Sequence, residues 1–313
     1  MRIGIVGAGA VGGYFGARLA HAGQDVAVVA RGAHLAAIRR AGLRVTSPAL
    51  GDFVVPVKAE EDPGAIGPVD LVVFSVKTYD TASAIPLLAP LLGPDTAVLT
   101  LQNGVDSTDR LAAAVGEARV LGGTTYVATA VTAPGTIAQT GTHRSIIFGE
   151  AFGDRRSISG RVAAIADLMR PADIQVTPVP DARVPIWDKF VYLAPFAGFT
   201  GGARLPIGPL WARPHVQEMF YLAAREVAAI AAAEGVTISA DRFDTLAAYM
   251  QGIPGTTRSS LLIDLEQGKR IEVEALHGEA IRRARKHDVP TPILSTLYAL
   301  LTAWEDGPPA ARS

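Results

Sequence analysis

The sequence predicts an α/β first half built on a doubly wound, mostly parallel sheet, followed by an all-α second half. Three observations predict it. The N-terminus is a short apolar strand that runs into spaced glycines and a helix of small residues. Fully apolar, strand-length runs then alternate with segments rich in Ala and Leu as far as about Pro180. Beyond Pro180 only helix-length segments remain.

The chain opens Met1-Arg2-Ile3-Gly4-Ile5-Val6, a short apolar strand that runs straight into Gly7-Ala8-Gly9-Ala10-Val11-Gly12. The spacing gives each glycine a separate duty. Gly7 makes the tight turn, Gly9 lets a pyrophosphate approach the backbone, and Gly12 lets the following helix pack on the strand. The free N–H groups and partial positive charge of the helix N-terminus then favour phosphates. Flanking strand and helix distinguish this Rossmann-type dinucleotide motif from a glycine-rich turn that binds nothing. The second strand, Asp25 to Ala30, selects the dinucleotide. NAD-binding versions carry an acid here for the ribose diol, whereas this chain has Arg31-Gly32. A guanidinium suits a 2′-phosphate, so NADP(H) is the expected cofactor; a solvated loop arginine is the alternative.

Leu71 to Val76 and Thr96 to Leu101 read as strands buried on both faces, and Val120 to Val127 less cleanly so. Pro134-Gly135 marks a turn, with short strands expected at Thr136 to Gln139 and Ser145 to Phe148 as an antiparallel edge hairpin. A helix over Arg161 to Met169 and a strand over Ile174 to Val179 close this half. Helices are then expected over Val216 to Glu234, stopped by Gly235, and over Asp241 to Gln251, Ile271 to Lys286 and Ile293 to Trp304. The tail from Gly307 to Ser313 reads as frayed.

Composition narrows the function. A formal net charge of −1 without long basic runs gives no footprint for nucleic acid or an acidic membrane surface. The absence of cysteine removes disulfides, thiolate catalysis and thiolate metal sites, and fits a cytoplasmic chain. No apolar run reaches membrane-spanning length, and the six histidines lack ligand spacing, so neither a membrane nor a metal is expected.

Ligands of open α/β sheets sit beyond the carboxyl ends of the strands, where this chain places Lys77 and Asn103. Each is equally readable as a solvated loop residue. In the second half, Lys189 lies on a strongly apolar segment, where a lysine either snorkels or is desolvated at a site. Arg258-Ser259-Ser260 precedes a helix and is equally a plain N-cap. Glu272 and Glu274 stand near a helix start, where acids also belong for dipole reasons.

Taken in order, the glycine motif, Arg31-Gly32, Val76-Lys77, Gln102-Asn103-Gly104, Trp187-x-Lys189, and Ser259-Ser260 with Glu272 twelve residues after Ser260 resemble the ketopantoate reductases (2-dehydropantoate 2-reductases) over nearly the whole chain. The resemblance implies a Rossmann domain over 1–180, a helical substrate and catalytic domain over 181–313, and an active site in the cleft between them. It implies NADPH-dependent reduction of a 2-oxo acid, 2-dehydropantoate to pantoate, in pantothenate biosynthesis. By resemblance Lys189 is the general acid, and Glu272 orients it or binds a substrate hydroxyl. Ser260 holds the substrate carboxylate, and the charge of Arg258, rather than the resemblance, offers it as a helper. Asn103 positions nicotinamide and substrate. Lys77 lines the site, and Lys77, Asn103 and Glu272 also touch the cofactor. The partner is a small-molecule 2-oxo acid, and a homodimer is left open as the assembly. The chain departs from the family at Leu193 and Ala197, where asparagines commonly follow the lysine, and at Thr257. These departures leave open a paralogue acting on a more apolar 2-oxo acid or ester. A 3-hydroxyacid dehydrogenase and a non-catalytic NADP-binding sensor are the other readings.

Overall fold

A computed structural model describes residues 1–308 and divides the chain into two compact units. Unit 1 comprises Met1–Gln102 and Ser107–Pro185; unit 2 comprises Asn103–Asp106 and the chain from Ile186 onward.

Unit 1 is a ten-stranded sheet flanked by helices. Its chain order is β1 (Arg2–Val6), α1 (Ala10–His21), β2 (Asp25–Val29), α2 (Gly32–Ala41), β3 (Leu43–Thr46), β4 (Phe53–Val55), β5 (Lys58–Glu60), β6 (Val69–Phe74), α3 (Thr81–Ala84), β7 (Leu92–Thr100), α4 (Ser107–Val115), β8 (Val120–Ala133), β9 (Thr136–Glu150), α5 (Gly160–Met169) and β10 (Gln175–Asp181). Six strands run parallel in the spatial order β5-β2-β1-β6-β7-β8, so the winding reverses between β1 and β6. The apolar runs are continuous because both faces are covered. On β6, Leu71 and Val73 join one core with Ile3, Ile5 and Phe15, while Val72 and Phe74 join another with Val6, Leu88 and Leu91. Each such buried side chain contributes about 1.5–3 kcal/mol.

Two expectations for this unit are corrected. The strand segments at Thr136 to Gln139 and Ser145 to Phe148 are one continuous strand, β9. It is antiparallel to β8 but does not form an edge hairpin, because β3 and β10 add to it in parallel along its other side. The polar residues within it include Thr142 and His143, which are exposed in a bulge where the register with β8 shifts between Thr140 and Arg144; the buried Gln139 spans that bulge, its Nε2 donating to Gly141 O at 2.8 Å. β8 likewise runs on to Ala133, past the apolar stretch that suggests it.

Unit 2 is helical: α6 (Arg183–Ala203, within this unit from Ile186), α7 (Ile207–Trp211), α8 (Pro214–Ala233), α9 (Arg242–Gly252), α10 (Ser260–Glu266), α11 (Glu279–Lys286) and α12 (Pro292–Thr302). α6 is apolar nearly all round, as a helix central to its core must be. Trp187, Phe190, Val191, Ala194, Phe196 and Ala197 are all buried. At Gly198 an added Cβ would lie 2.7 Å from Leu297 and 2.8 Å from His277 Nε2, so glycine lets both approach α6. The helix expected from Ile271 begins instead with a π-helical turn, Glu274–Gly278, ahead of α11. That turn places His277, fully buried, against Ala194 O at 3.0 Å. Of the tail, Gly307 is buried and donates to Trp304 O at 3.0 Å, while residues 309–313 lie outside the described residues. No helix among the described residues is long and apolar enough to cross a membrane.

Candidate active site

The glycine loop sits where β1 and β6 part company. Gly7 has φ of +99°, and a Cβ there would stand 2.6 Å from Val76 N, so the turn lies directly against the exit of β6. A Cβ on Gly12 would lie 2.1 Å from Ser75 Oγ, which fixes how close α1 comes to the strands. A Cβ on Gly9 would meet nothing within 4 Å. The space in front of the helix is therefore open, as a diphosphate requires. α1 also begins without a side-chain cap and without an acid in its first turn, leaving its free N–H groups to an anion. The residues present fit a dinucleotide on these three counts.

Two side chains to which sequence reasoning gave no role, Ser75 and Gln102, hold this region. Ser75 Oγ donates to Gly7 O at 3.0 Å. Gln102 Nε2 donates to Val76 O at 2.9 Å and Thr81 Oγ1 at 2.8 Å, tying the end of β7 to the loop that carries Lys77. Lys77 itself is partly buried just beyond β6. Arg31 stands at the N-cap of α2 with its side chain 82% exposed, 3.9 Å from Asp80, and no acid occupies the first turn of that helix.

Unit 2 gathers residues from three distant stretches. Lys189 Nζ donates to Asn103 Oδ1 at 3.1 Å. Asn103 reaches it because Gly104, at φ of +92°, packs 3.0 Å from Ala275 O through its would-be Cβ position, docking the turn on the segment that carries Glu272. Glu272 is only 6% exposed. The Lys189 side chain is partly buried as a whole, but its ammonium is withdrawn from water. This desolvation lowers its pKa to about 8, against the opposing pull of the Glu272 carboxylate. Its neighbour Asp188 faces elsewhere, 2.7 Å from Arg242.

The remaining candidates separate by packing. Ser259 is buried, caps α10 by accepting from Leu262 N at 3.0 Å, and bonds Thr200 Oγ1 at 2.7 Å. Ser260, next along the chain, is exposed. Glu274 is tied to Tyr298 and Arg282, so the two acids near Ile271 have different surroundings. Arg258 pairs with Glu266 at 2.7 Å. Thr257 Oγ1 turns back to Pro254 O at 2.6 Å. On α6, Leu193 is partly buried and Ala197 lies in the core. Among the described residues no group of acids and histidines could hold a metal ion.

Residues 3–153 match the family model described as ketopantoate reductase PanE/ApbA, and residues 181–305 match its C-terminal model. The chain belongs to the ketopantoate reductase family. A 2-dehydropantoate 2-reductase of Mesorhizobium japonicum is 33% identical over 96% of this chain and 97% of its own length. One of Halobacterium salinarum is 34% identical over 98% of this chain and 100% of its own. The crystal structure of 2-dehydropantoate 2-reductase from Geobacter metallireducens is 32% identical, with a TM-score of 0.90 over 96% of this chain and 99% of that one. This family member is an oxidoreductase acting on a CH–OH group.

Proposed function

We propose that this reductase uses NADPH to convert a 2-oxo acid to a 2-hydroxy acid, with 2-dehydropantoate the substrate and pantoate the product. Relatives bearing that enzyme name support the substrate. The exposed guanidinium of Arg31 after β2 supports the 2′-phosphate of NADPH over the bare diol of NADH. The observation that carries the reading is the Lys189 ammonium, desolvated, hydrogen-bonded to Asn103 and opposite the charge of Glu272.

When bound, a reduced nicotinamide would supply the hydride for the ketone carbon. Lys189 Nζ gives its proton to the ketone oxygen as negative charge grows there, which completes the CH–OH group and leaves the amine neutral until water reprotonates it. A pKa of about 8 keeps Lys189 protonated at neutral pH while easing release of the proton. Asn103 and Glu272 aim and charge-stabilise the ammonium. Ser260 takes the substrate carboxylate, with Arg258 able to assist only by leaving Glu266. Lys77 and the backbone of Gly7 to Gly12 serve the cofactor. NADPH consumption by the purified chain with 2-dehydropantoate and a panel of other 2-oxo acids tests the reading; no turnover on any of them would leave an NADP-binding sensor.

One observation favours a second reading. Leu193 and Ala197, four and eight residues beyond Lys189 on α6, offer no hydrogen-bonding side chain. A site without such groups discriminates weakly for a substrate hydroxyl. Faster turnover of branched aliphatic 2-oxo acids or esters than of 2-dehydropantoate would establish this paralogue function.

A further inference from the structure

The peptide between Ala8 and Gly9 borders a glycine, whose backbone is free to turn. Its direction is nevertheless fixed. Across the loop three successive carbonyls each accept a hydrogen bond: Gly7 O from Ser75 Oγ at 3.0 Å, Ala8 O from His34 Nε2 at 2.8 Å, and Gly9 O from Gly13 N at 2.8 Å. In a trans peptide the N–H points opposite the C=O. Holding Ala8 O toward His34 therefore turns the Gly9 N–H to the opposite side.

The imidazole is held at both ends. Gly135 N lies 3.0 Å from Nδ1, and a backbone N–H can only donate, so Nδ1 is the bare acceptor. Nε2 then carries the proton and donates to Ala8 O. The ring thus joins the glycine loop to the β8–β9 turn. His34 also sits in the first turn of α2, three residues after Arg31. One side chain spans the loop proposed to hold the diphosphate and the helix start proposed to hold the 2′-phosphate.

We propose that His34 is a positioning residue of the dinucleotide site, fixing the Ala8–Gly9 peptide and the register of Arg31 against it. This rests on the reading of the loop as an NADPH site. The test measures the Kd of NADPH and of NADH for the wild type, His34→Ala and His34→Gln, with steady-state KM and kcat and the Tm of each apo protein. Glutamine offers one acceptor and one donor, as the neutral imidazole does. The expected result is an NADPH Kd about tenfold weaker in His34→Ala, the loss of about one net hydrogen bond. Selectivity for NADPH over NADH should fall with it, KM for NADPH should rise more than kcat falls, and His34→Gln should recover most of the affinity. A wild-type Kd in His34→Ala overturns the inference, as does equal weakening in both variants that follows their Tm alone. A wild-type chain that binds neither nucleotide overturns the dinucleotide reading, and this inference with it.

Discussion

The glycine loop of unit 1 and the lysine cluster of unit 2 are built in opposite ways. The loop is one run of chain, Gly7 to Gly12, whose geometry follows from where side chains are missing. The cluster joins Asn103, Lys189 and Glu272 from three separate stretches, and its chemistry follows from what surrounds them. A contiguous motif carries its function in its spacing. A dispersed one acquires it only when packing has brought an amide, an amine and a carboxylate together and excluded water from the amine. Even the segment Asn103–Asp106, which follows a strand of the sheet, packs with the helical unit, a placement that no boundary drawn along the chain expresses.

If that contrast is correct, substitutions in the two regions should fail differently. The largest effect is expected at Lys189: Lys189→Ala should lower kcat by about 10²–10⁴-fold, the usual value of a positioned proton donor, with the Kd of NADPH nearly unchanged. Comparable loss of nucleotide affinity would remove the distinction between the two regions.

Acid should next act on unit 2. His277 is fully buried and its pKa is lowered to about 4, chiefly by desolvation, against the hydrogen bond to Ala194. The native state therefore binds fewer protons than the unfolded chain between the ordinary histidine pKa of about 6.5 and about 4. Its stabilising share is complete above that window and is lost as pH falls through it, by about 3 kcal/mol in all. Hydrogen exchange at pH 7 and pH 4.5 should show protection falling more in α6 and the Glu274–Gly278 turn than in β1 and β6. Uniform loss would assign the acid sensitivity elsewhere.

Arg31→Ala should cost about tenfold to a hundredfold in NADPH affinity, the value of a charge-assisted hydrogen bond, while leaving NADH binding unchanged. Equal losses for both nucleotides would place Arg31 outside 2′-phosphate recognition. The smallest change expected is a shift in a pH profile. Reduction should decline above about pH 8 as Lys189 loses its proton. Because the Glu272 carboxylate raises that pKa, Glu272→Gln should move the decline to lower pH. A decline that stays in place would separate Glu272 from the lysine.

Much of the fold was legible in sequence because its signals are local. The fully apolar runs at Leu71 to Val76 and Thr96 to Leu101 announce strands covered on both faces, and Gly235 announces a helix end that φ of +76° makes suitable for glycine. The continuity of β9 was not legible, since its exposed middle is a bulge carried between two segments that each pair with β8, and no apolar residue marks it. Nor was the division of labour between Ser259 and Ser260. Two identical side chains differ only because the first faces Thr200 and caps α10 while the second faces outward. His34 gave no sequence signal either, as its partners are backbone atoms of Ala8 and Gly135, far from it in the chain.

By itself, then, the sequence determined the α/β and helical halves, the turn and close approaches of the glycine loop, and the family, because these rest on short-range spacing and on residue order. The tertiary structure alone decided that Asn103 meets Lys189, that the ammonium loses its water, and that Glu272 and Glu274 have different surroundings. Desolvation and charge proximity are properties of three-dimensional neighbourhoods, and no spacing along a chain encodes them locally.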